Sequence, residues 1–331
     1  MPSCRLRPAQ ARAPLRQPRR STPRAAAASS ARDSPAATPD AASAAPAPGR
    51  RAVLLAPALL ASLPASAAPP PQKVVLVTGA NTGIGAAACV QLAERGLAVV
   101  PACRTPEKSR AAADAISAAV PGATVYGPGE GLPGLELASL ASVEQYAAAF
   151  LKSGIPLDVL LNNAGIMAHP LAASEDGMEL HMAVNHAGHF HLTGRLLGRL
   201  RDAPAPRVVN LSSAAHLGGK LDAADPLGKV VPAPAEGSGF NPWQAYFDSK
   251  LANVLFTREL HRREGGRVEA TAVHPGIVDT DLSRYFLPKS VYERKAADPE
   301  GSKRMAQFFG MRSPERGAEG AVWLGGGPPA G

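Results

Sequence analysis

Short apolar runs alternate with longer amphipathic stretches from Lys73 to about Leu324. Lys73–Thr78, Leu97–Val100, Leu157–Leu161, Arg207–Leu211 and Arg267–Val273 read as strands, because each is brief and rich in apolar and β-branched residues. Ala123–Tyr126 reads as the start of one more strand, cut by the irregular insertion Gly127–Gly134 and resumed at Leu135–Leu137. Helical patterning fills the intervals: Ala86–Arg95, Thr105–Val120, Val143–Leu151, Glu175–Leu200, Ala245–Leu260 and Ser313 to about Leu324. Gly218–Gly239 is a Pro/Gly-rich loop, and the pattern weakens through Tyr285–Phe309. Strands alternating with helices predict an α/β fold, a doubly wound parallel sheet with helices on both faces, built as one domain over residues 73–324.

The rest of the chain differs in kind. Residues 1–72 carry ten Arg, no Lys and two Asp, which accounts for the whole net charge of +8; residues 73–331 balance to zero. The basicity belongs to this leader, and no basic patch on the body points to nucleic acid. Residues 1–49 are Ala, Pro, Ser and Arg without apolar periodicity, a composition that cannot build a core. Arginine-rich, serine-rich and acid-poor sequence is that of an organelle transit peptide, with a disordered tail or a misplaced gene start as alternatives. Arg50-Arg51, the apolar run Ala52–Leu63 and Ala65-Ser66-Ala67 then resemble an export signal. That order resembles thylakoid-lumen targeting; the other reading takes Ala52–Ala68 as the end of the transit peptide. The apolar run is too short to span a bilayer, and nothing in the body spans one. Residues 1–72 are expected to be a disordered targeting leader, residues 325–331 a disordered tail, and the chloroplast the destination, with the stroma or a membrane surface ahead of the lumen.

Candidate chemistry starts at Gly79-Ala-Asn81-Thr82-Gly83-Ile84-Gly85, which follows the first strand and opens a helix. Glycines there let backbone approach a pyrophosphate, and the helix start offers free N–H groups. A plain strand-to-helix turn is the bland alternative. The second strand ends without an acid to bind ribose hydroxyls, and Arg104 stands beside that place, where it suits the 2′-phosphate of NADP. A solvated surface arginine is the alternative. Asn162-Asn163-Ala164-Gly165 leaves the C-terminal edge of a central strand, where ligands bind in open α/β sheets. His186, His189 and His191 invite a metal reading, but no acidic third ligand is spaced with them and packed histidines are expected; no metal is assigned. Cys4, Cys89 and Cys103 suggest neither a disulfide framework nor a zinc site, and the last two are expected to be buried.

Tyr246 and Lys250 are four residues apart in a helical stretch, so they share one face. A lysine cation held beside a phenol favours the phenolate and lowers its pKa, which suits proton transfer to or from a carbonyl or hydroxyl oxygen. An ordinary exposed Tyr and Lys is the competing reading of this pair alone.

Gly79-x-x-x-Gly83-x-Gly85, Asn162-Asn163-Ala164-Gly165, Asn185, Ser213 with Tyr246-x-x-x-Lys250, and Pro275-Gly276, in that order, resemble the short-chain dehydrogenase/reductase family over about residues 73–324. Ala102-Cys103-Arg104, Asn185–Phe190 and Ser249–Phe256 resemble its retinol-dehydrogenase-like branch, to which protochlorophyllide reductases are related. The resemblance implies a Rossmann-like fold and a catalytic tetrad. Tyr246 is the implied acid/base, Lys250 lowers its pKa and binds the nicotinamide ribose, Ser213 bonds the substrate oxygen, and Asn185 holds a relay water. It also implies NADP(H) contacts from Gly79, Asn81, Thr82, Gly83, Ile84, Gly85, Arg104, Asn163, Ala164, Gly165, Tyr246, Lys250, Pro275, Gly276, Ile277 and Thr280. Three departures stand out: Glu136 occupies the place of the family's adenine-side Asp, the Ser213-to-Tyr246 gap is 33 residues, and the family's last strand has no counterpart before Gly331.

Three functions follow from the resemblance. The first is an NADPH-dependent oxidoreductase on a lipophilic aldehyde, ketone or alcohol. The second is an NADPH-binding redox sensor of chloroplast import machinery, as relatives of the branch serve. The third is protochlorophyllide reduction, weakened by Asn162-Asn163, where those enzymes carry a cysteine motif. The expected partner is a small lipophilic substrate; peripheral membrane association and a homo-oligomer stay open.

Overall fold

The computed structural model describes residues 72–221, 239–285 and 288–327, so the leader and most of the Pro/Gly-rich loop lie outside the described residues. Five strands form one parallel sheet: β1 (Val74–Thr78), β2 (Ala98–Ala102), β3 (Val159–Asn162), β4 (Arg207–Leu211) and β5 (Glu269–Val273), in the spatial order β2-β1-β3-β4-β5. Register is direct, with Leu76 opposite Val100 on one side and Leu160 on the other. Burial of both sheet faces explains why β1 and β3 are apolar up to their last residues, Thr78 and Asn162, rather than alternating.

Successive strand residues feed two cores. Val74, Leu76, Leu160 and Val208 meet α3 (Leu140–Ser153), α4 (Gly188–Arg201) and α5 (Pro242–Glu264) through Val143, Phe150, Leu192, Leu196 and Leu260. Val75, Val77, Val159 and Leu161 point the other way. They meet α1 (Gly83–Glu94), α2 (Pro106–Ala119) and α8 (Pro314–Gly326) through Leu92, Ile116 and Val322. Cys89 and Cys103 are packed in this second core, and burial pushes both thiols up. The strand order reverses between β1 and β3, and the crevice above their C-terminal ends is where the site is built.

The structure corrects several boundaries. Pro101 belongs to β2, which a strand pairing only with β1 among the five tolerates. Ala123–Tyr126 and Leu135–Leu137 do not form a strand. Thr124 and Tyr126 each make one backbone bond to Val99 (3.0 and 2.9 Å), and then Pro128, which has no N–H to donate, starts a 3₁₀ turn over Pro128–Glu130. Leu135 returns with one bond to Cys103 O (2.8 Å). The helix expected from Glu175 starts later. Gly177 at φ 74° and the Ser174–Met178 backbone pair (2.8 Å) make a tight reversal, and Asp176 accepts the Leu140 N–H at the start of α3 (2.9 Å). Helical structure then passes through a π-turn, Met182–Ala187, into α4.

A 3₁₀ turn (Asp281–Tyr285) leads into the weakly patterned stretch, which holds α6 (Lys289–Ala297) and α7 (Pro299–Phe308). The expected tail begins too early, because α8 runs through Gly326. Arg207 and Arg95 donate to the carbonyls of Leu324 and Gly327 (both 2.8 Å), satisfying groups that a helix end leaves open. Among the described residues no helix is long and apolar enough to cross a membrane.

Candidate active site

The cleft above the switch point is lined by the loop from β1 into α1, the ends of β2, β3 and β4, α5, and the segment after β5. Gly79 (φ 66°) and Gly83 (φ 56°) take left-handed backbone that disfavours a side chain. At Gly85 a Cβ would stand 2.3 Å from Gly79 O and 2.4 Å from Asn163 Nδ2, so only hydrogen fits. The N-terminus of α1 has no side-chain cap and no acid in its first turn, which leaves its N–H groups facing the cleft. Thr78 Oγ1 accepts the N–H groups of Asn163 (2.9 Å) and Ala164 (3.0 Å), and Asn163 Nδ2 donates to Thr78 O (2.8 Å). These bonds tie the loop after β3 to the glycine loop.

At the far end Arg104 stands at the mouth, but an acid is beside it after all. Glu136 Oε2 lies 3.0 Å from Arg104 Nε, brought there by the fold rather than by sequence proximity. Glu136 also accepts the N–H of Ala138 (2.9 Å), which fixes its carboxylate. Lys108, in the first turn of α2, lines the same end of the cleft and adds a second cation there.

The reacting end lies on α5 and β4. Tyr246 and Lys250 are both 5% exposed, and Lys250 Nζ is 5.7 Å from the centre of the Tyr246 ring. Nζ donates to Leu211 O (3.1 Å). Burial pushes the lysine down to about 8, so it is still a cation at neutral pH. The phenol differs from expectation. Burial pushes it up, and the opposing influence is the hydrogen bond with Ser213 rather than Lys250. Desolvation of the phenolate outweighs the stabilisation that the Ser213 hydroxyl gives it. Ser213 is positioned by the 3₁₀ turn Ala214–Gly218, which its hydroxyl caps at Ala215 N (3.2 Å). A Cβ at Gly218 would meet Phe247 at 2.9 Å and one at Gly219 would meet Leu251 at 2.6 Å; the absence of side chains lets this turn sit directly on α5.

Of the expected residues, Gly79, Asn81, Thr82, Gly83, Ile84, Gly85, Arg104, Asn163, Ala164, Gly165, Ser213, Tyr246, Lys250, Pro275, Gly276 and Thr280 all line this cleft. Ile277 does not: it is 73% exposed, and its carbonyl accepts Arg312 N (2.8 Å). Asn185 lies behind the wall, fully buried. Its Oδ1 accepts Ile166 N (2.8 Å), and its Nδ2 donates to Ile166 O (3.0 Å) and Ser249 Oγ (2.9 Å). The Asn185 side chain is thus committed to holding the wall, which leaves its amide hydrogens no part in water binding. Leu137, Ile166, Val184, Leu282 and Arg284 also line the cleft and were not singled out from sequence. Lys108 had a signal, four residues after Arg104 on a helix; Val184 lies in a stretch read as helical, with nothing to mark which of its residues face the cleft, and the others come from irregular segments. The three clustered histidines diverge, His186 to Asn253, His189 to Thr78 and His191 to Glu144.

A doubly wound sheet, a glycine cradle at its switch point and a Ser-Tyr-Lys cluster above the strand ends define a dinucleotide-binding class of α/β protein. The sequence model of the short chain dehydrogenase family matches residues 73–222. Retinol dehydrogenase 14 of Homo sapiens is 36% identical over 269 residues, covering 77% of this chain and 74% of that protein. Retinol dehydrogenase 12 of Bos taurus is 45% identical over 214 residues, covering 64% of each, so the match spans a little under two thirds of that relative. A crystal structure of an uncharacterized Mycobacterium paratuberculosis protein superposes with a TM-score of 0.55 at 34% identity, covering 77% of this chain and 76% of that one. The chain belongs to the short chain dehydrogenase family, in its retinol-dehydrogenase-like branch.

Proposed function

We propose that the protein is an NADP(H)-dependent oxidoreductase that interconverts a carbonyl and an alcohol on a small lipophilic molecule. The observation that carries the reading is the buried Tyr246–Lys250 pair with half-buried Ser213 beside it, opening onto a glycine cradle that a single Cβ would fill. The cradle fits a dinucleotide: Gly79, Gly83 and Gly85 give backbone access, and the uncapped start of α1 suits a pyrophosphate. Arg104 and Lys108 would take the 2′-phosphate, and Lys250 the ribose near the reacting carbon. When bound, NADP(H) supplies or accepts the hydride.

The chain's own part is the proton. Burial keeps the Tyr246 phenol protonated at neutral pH, so it can donate to a carbonyl oxygen as that oxygen gains negative charge. Ser213 bonds the phenol and reaches the same oxygen. Ile166, Val184 and Leu282 offer apolar surface to the substrate. The names of the retinol dehydrogenases support a lipophilic alcohol or aldehyde as the class.

Arg104→Asp tests cofactor choice. It removes a cation and places a second carboxylate beside Glu136. NADPH affinity is expected to fall by about 10- to 100-fold, the scale of a charge-assisted hydrogen bond, while NADH affinity rises. Fluorescence titration reads both; equal affinity of the unmodified protein for the two cofactors would overturn the NADP assignment.

The proposal extends to location. The composition of residues 1–49 supports delivery to a chloroplast, with the stroma, where NADPH is expected, ahead of the lumen. N-terminal sequencing of organelle protein is expected to find a mature start near residue 68. A start near Met1 would contradict it.

A further inference from the structure

His189 lies in the first turn of α4, 2% exposed, and takes no part in the proton step described above. Its two ring nitrogens have different partners. Nε2 is 2.8 Å from Thr78 Oγ1, and Nδ1 is 3.0 Å from Asn185 O. A carbonyl only accepts, so Nδ1 carries the proton and donates to Asn185 O. Thr78 Oγ1 already accepts two N–H groups, from Asn163 and Ala164, which fill its lone pairs. Its own hydrogen is then free to donate to Nε2. Both ends therefore require the same neutral tautomer, with no ambiguity left to assign. Burial pushes the imidazole down to about 4, in agreement with a neutral ring. The residue's backbone is fixed too, because Thr193 Oγ1 donates to His189 O (2.7 Å) and accepts from Asn162 Nδ2 (3.1 Å).

The two bonded groups hold neighbouring parts of the stretch after β3, Thr78 through Asn163 and Ala164 and Asn185 through Ile166. Thr78 holds the loop Asn163–Gly165, which lines the cleft. Asn185 sits in the π-turn, a departure from α-helical bonding that needs added partners to persist. A Cβ on Gly165 would stand 3.1 Å from Asn185 Oδ1 and 3.6 Å from Lys250 Nζ, so the loop, the π-turn and the lysine meet at this glycine.

We propose that His189 is a positioning residue: as a neutral imidazole protonated on Nδ1, it clasps Thr78 to Asn185 and so fixes the loop after β3 against the π-turn beside Lys250. Its effect on turnover rests on the oxidoreductase reading; its effect on the walls does not.

Two variants separate the clasp from mere packing. His189→Phe keeps a ring of similar volume and removes both bonds. His189→Gln keeps a donor and an acceptor on one side chain. Hydrogen exchange resolved to single amides is expected to show protection at Asn163, Ala164 and Ile166 lowered about tenfold or more in His189→Phe, the scale of a lost buried hydrogen bond. Protection at Val75 and Val77 in the sheet should be unchanged, and His189→Gln should recover most of the loss. Under the oxidoreductase reading, turnover of His189→Phe on a carbonyl falls about tenfold while His189→Gln stays near the unmodified protein. Equal exchange in all three proteins, or equal losses in both variants, would overturn the clasp. Should His189→Phe fail to fold, nitrogen-15 spectra of the unmodified protein still decide: a proton on Nδ1 supports the proposal, and one on Nε2 overturns it. If exchange behaves as expected and the unmodified protein binds no NADPH, the oxidoreductase reading fails and the clasp stands.

Discussion

Tyr246→Phe is expected to leave the protein folded and binding NADPH, and to lower turnover by about 10²-fold or more, the scale of general acid–base catalysis. The substitution keeps the ring and its packing on α5 and removes only the hydroxyl that meets Ser213. Nothing nearby replaces that hydroxyl. A serine hydroxyl does not ionise usefully at neutral pH, and Lys250, though pushed down to about 8, donates to Leu211 O. Because burial raises the phenol, carbonyl reduction should hold steady through neutral pH and weaken only as the phenol ionises. Alcohol oxidation, which needs the phenolate, should gain with rising pH. Paired NADPH titration and steady-state rates measure both. Turnover retained in Tyr246→Phe would mean that the proton travels elsewhere.

Lys250→Met is expected to abolish turnover to a similar or greater extent, to weaken NADPH binding, and to stabilise the fold. The lysine is 5% exposed, and its charged form is disfavoured by burial. A folded pKa depressed to about 8, against about 10.4 for a free lysine, means that the unfolded chain holds the proton more tightly. The cost is complete below about pH 8 and vanishes as pH rises toward 10.4. Removing the ammonium should therefore raise stability by up to about 3 kcal/mol at pH 7. Denaturant unfolding of both proteins across that range checks the sign: the gap should close with rising pH. A gap constant with pH, or a less stable variant at pH 7, would show that the buried charge is not held at a cost. A destabilised residue kept at the reacting end is the kind of stability concession that functional sites make.

Much of this arrangement was legible in the residues. Val74–Thr78 and Val159–Leu161 announce a parallel sheet because strands buried on both faces read as near-continuous apolar runs. The glycine loop and the Tyr246/Lys250 spacing carry their geometry locally, in left-handed backbone and in helix periodicity. What escaped was set at long range. Glu136 is distant in sequence from Arg104, so the ion pair at the cleft mouth had no local signature. The phenol's upward shift depends on how deeply α5 is buried, which spacing alone does not give. The late start of the helical region leading into α4 is decided by a local reversal at Asp176-Gly177, a turn pair that the sequence does carry, and by Asp176 bonding to α3, which is a tertiary fact. Ile277 is next to Gly276 in sequence yet is exposed and not among the residues lining the cleft, a placement that the fold decides.

One alternative survives on the same geometry. A protein that binds NADPH through this cradle and reacts with nothing would serve as a redox sensor, and the chloroplast leader proposed above is compatible with that role. Label transfer separates the two. The unmodified protein is incubated with NADPH carrying deuterium at C4 of the nicotinamide and with a panel of lipophilic aldehydes and ketones, and the products are read by mass spectrometry. The account predicts an alcohol with one deuterium on the former carbonyl carbon, lost in Tyr246→Phe. Saturable NADPH binding with no labelled alcohol from any member of the panel would contradict it.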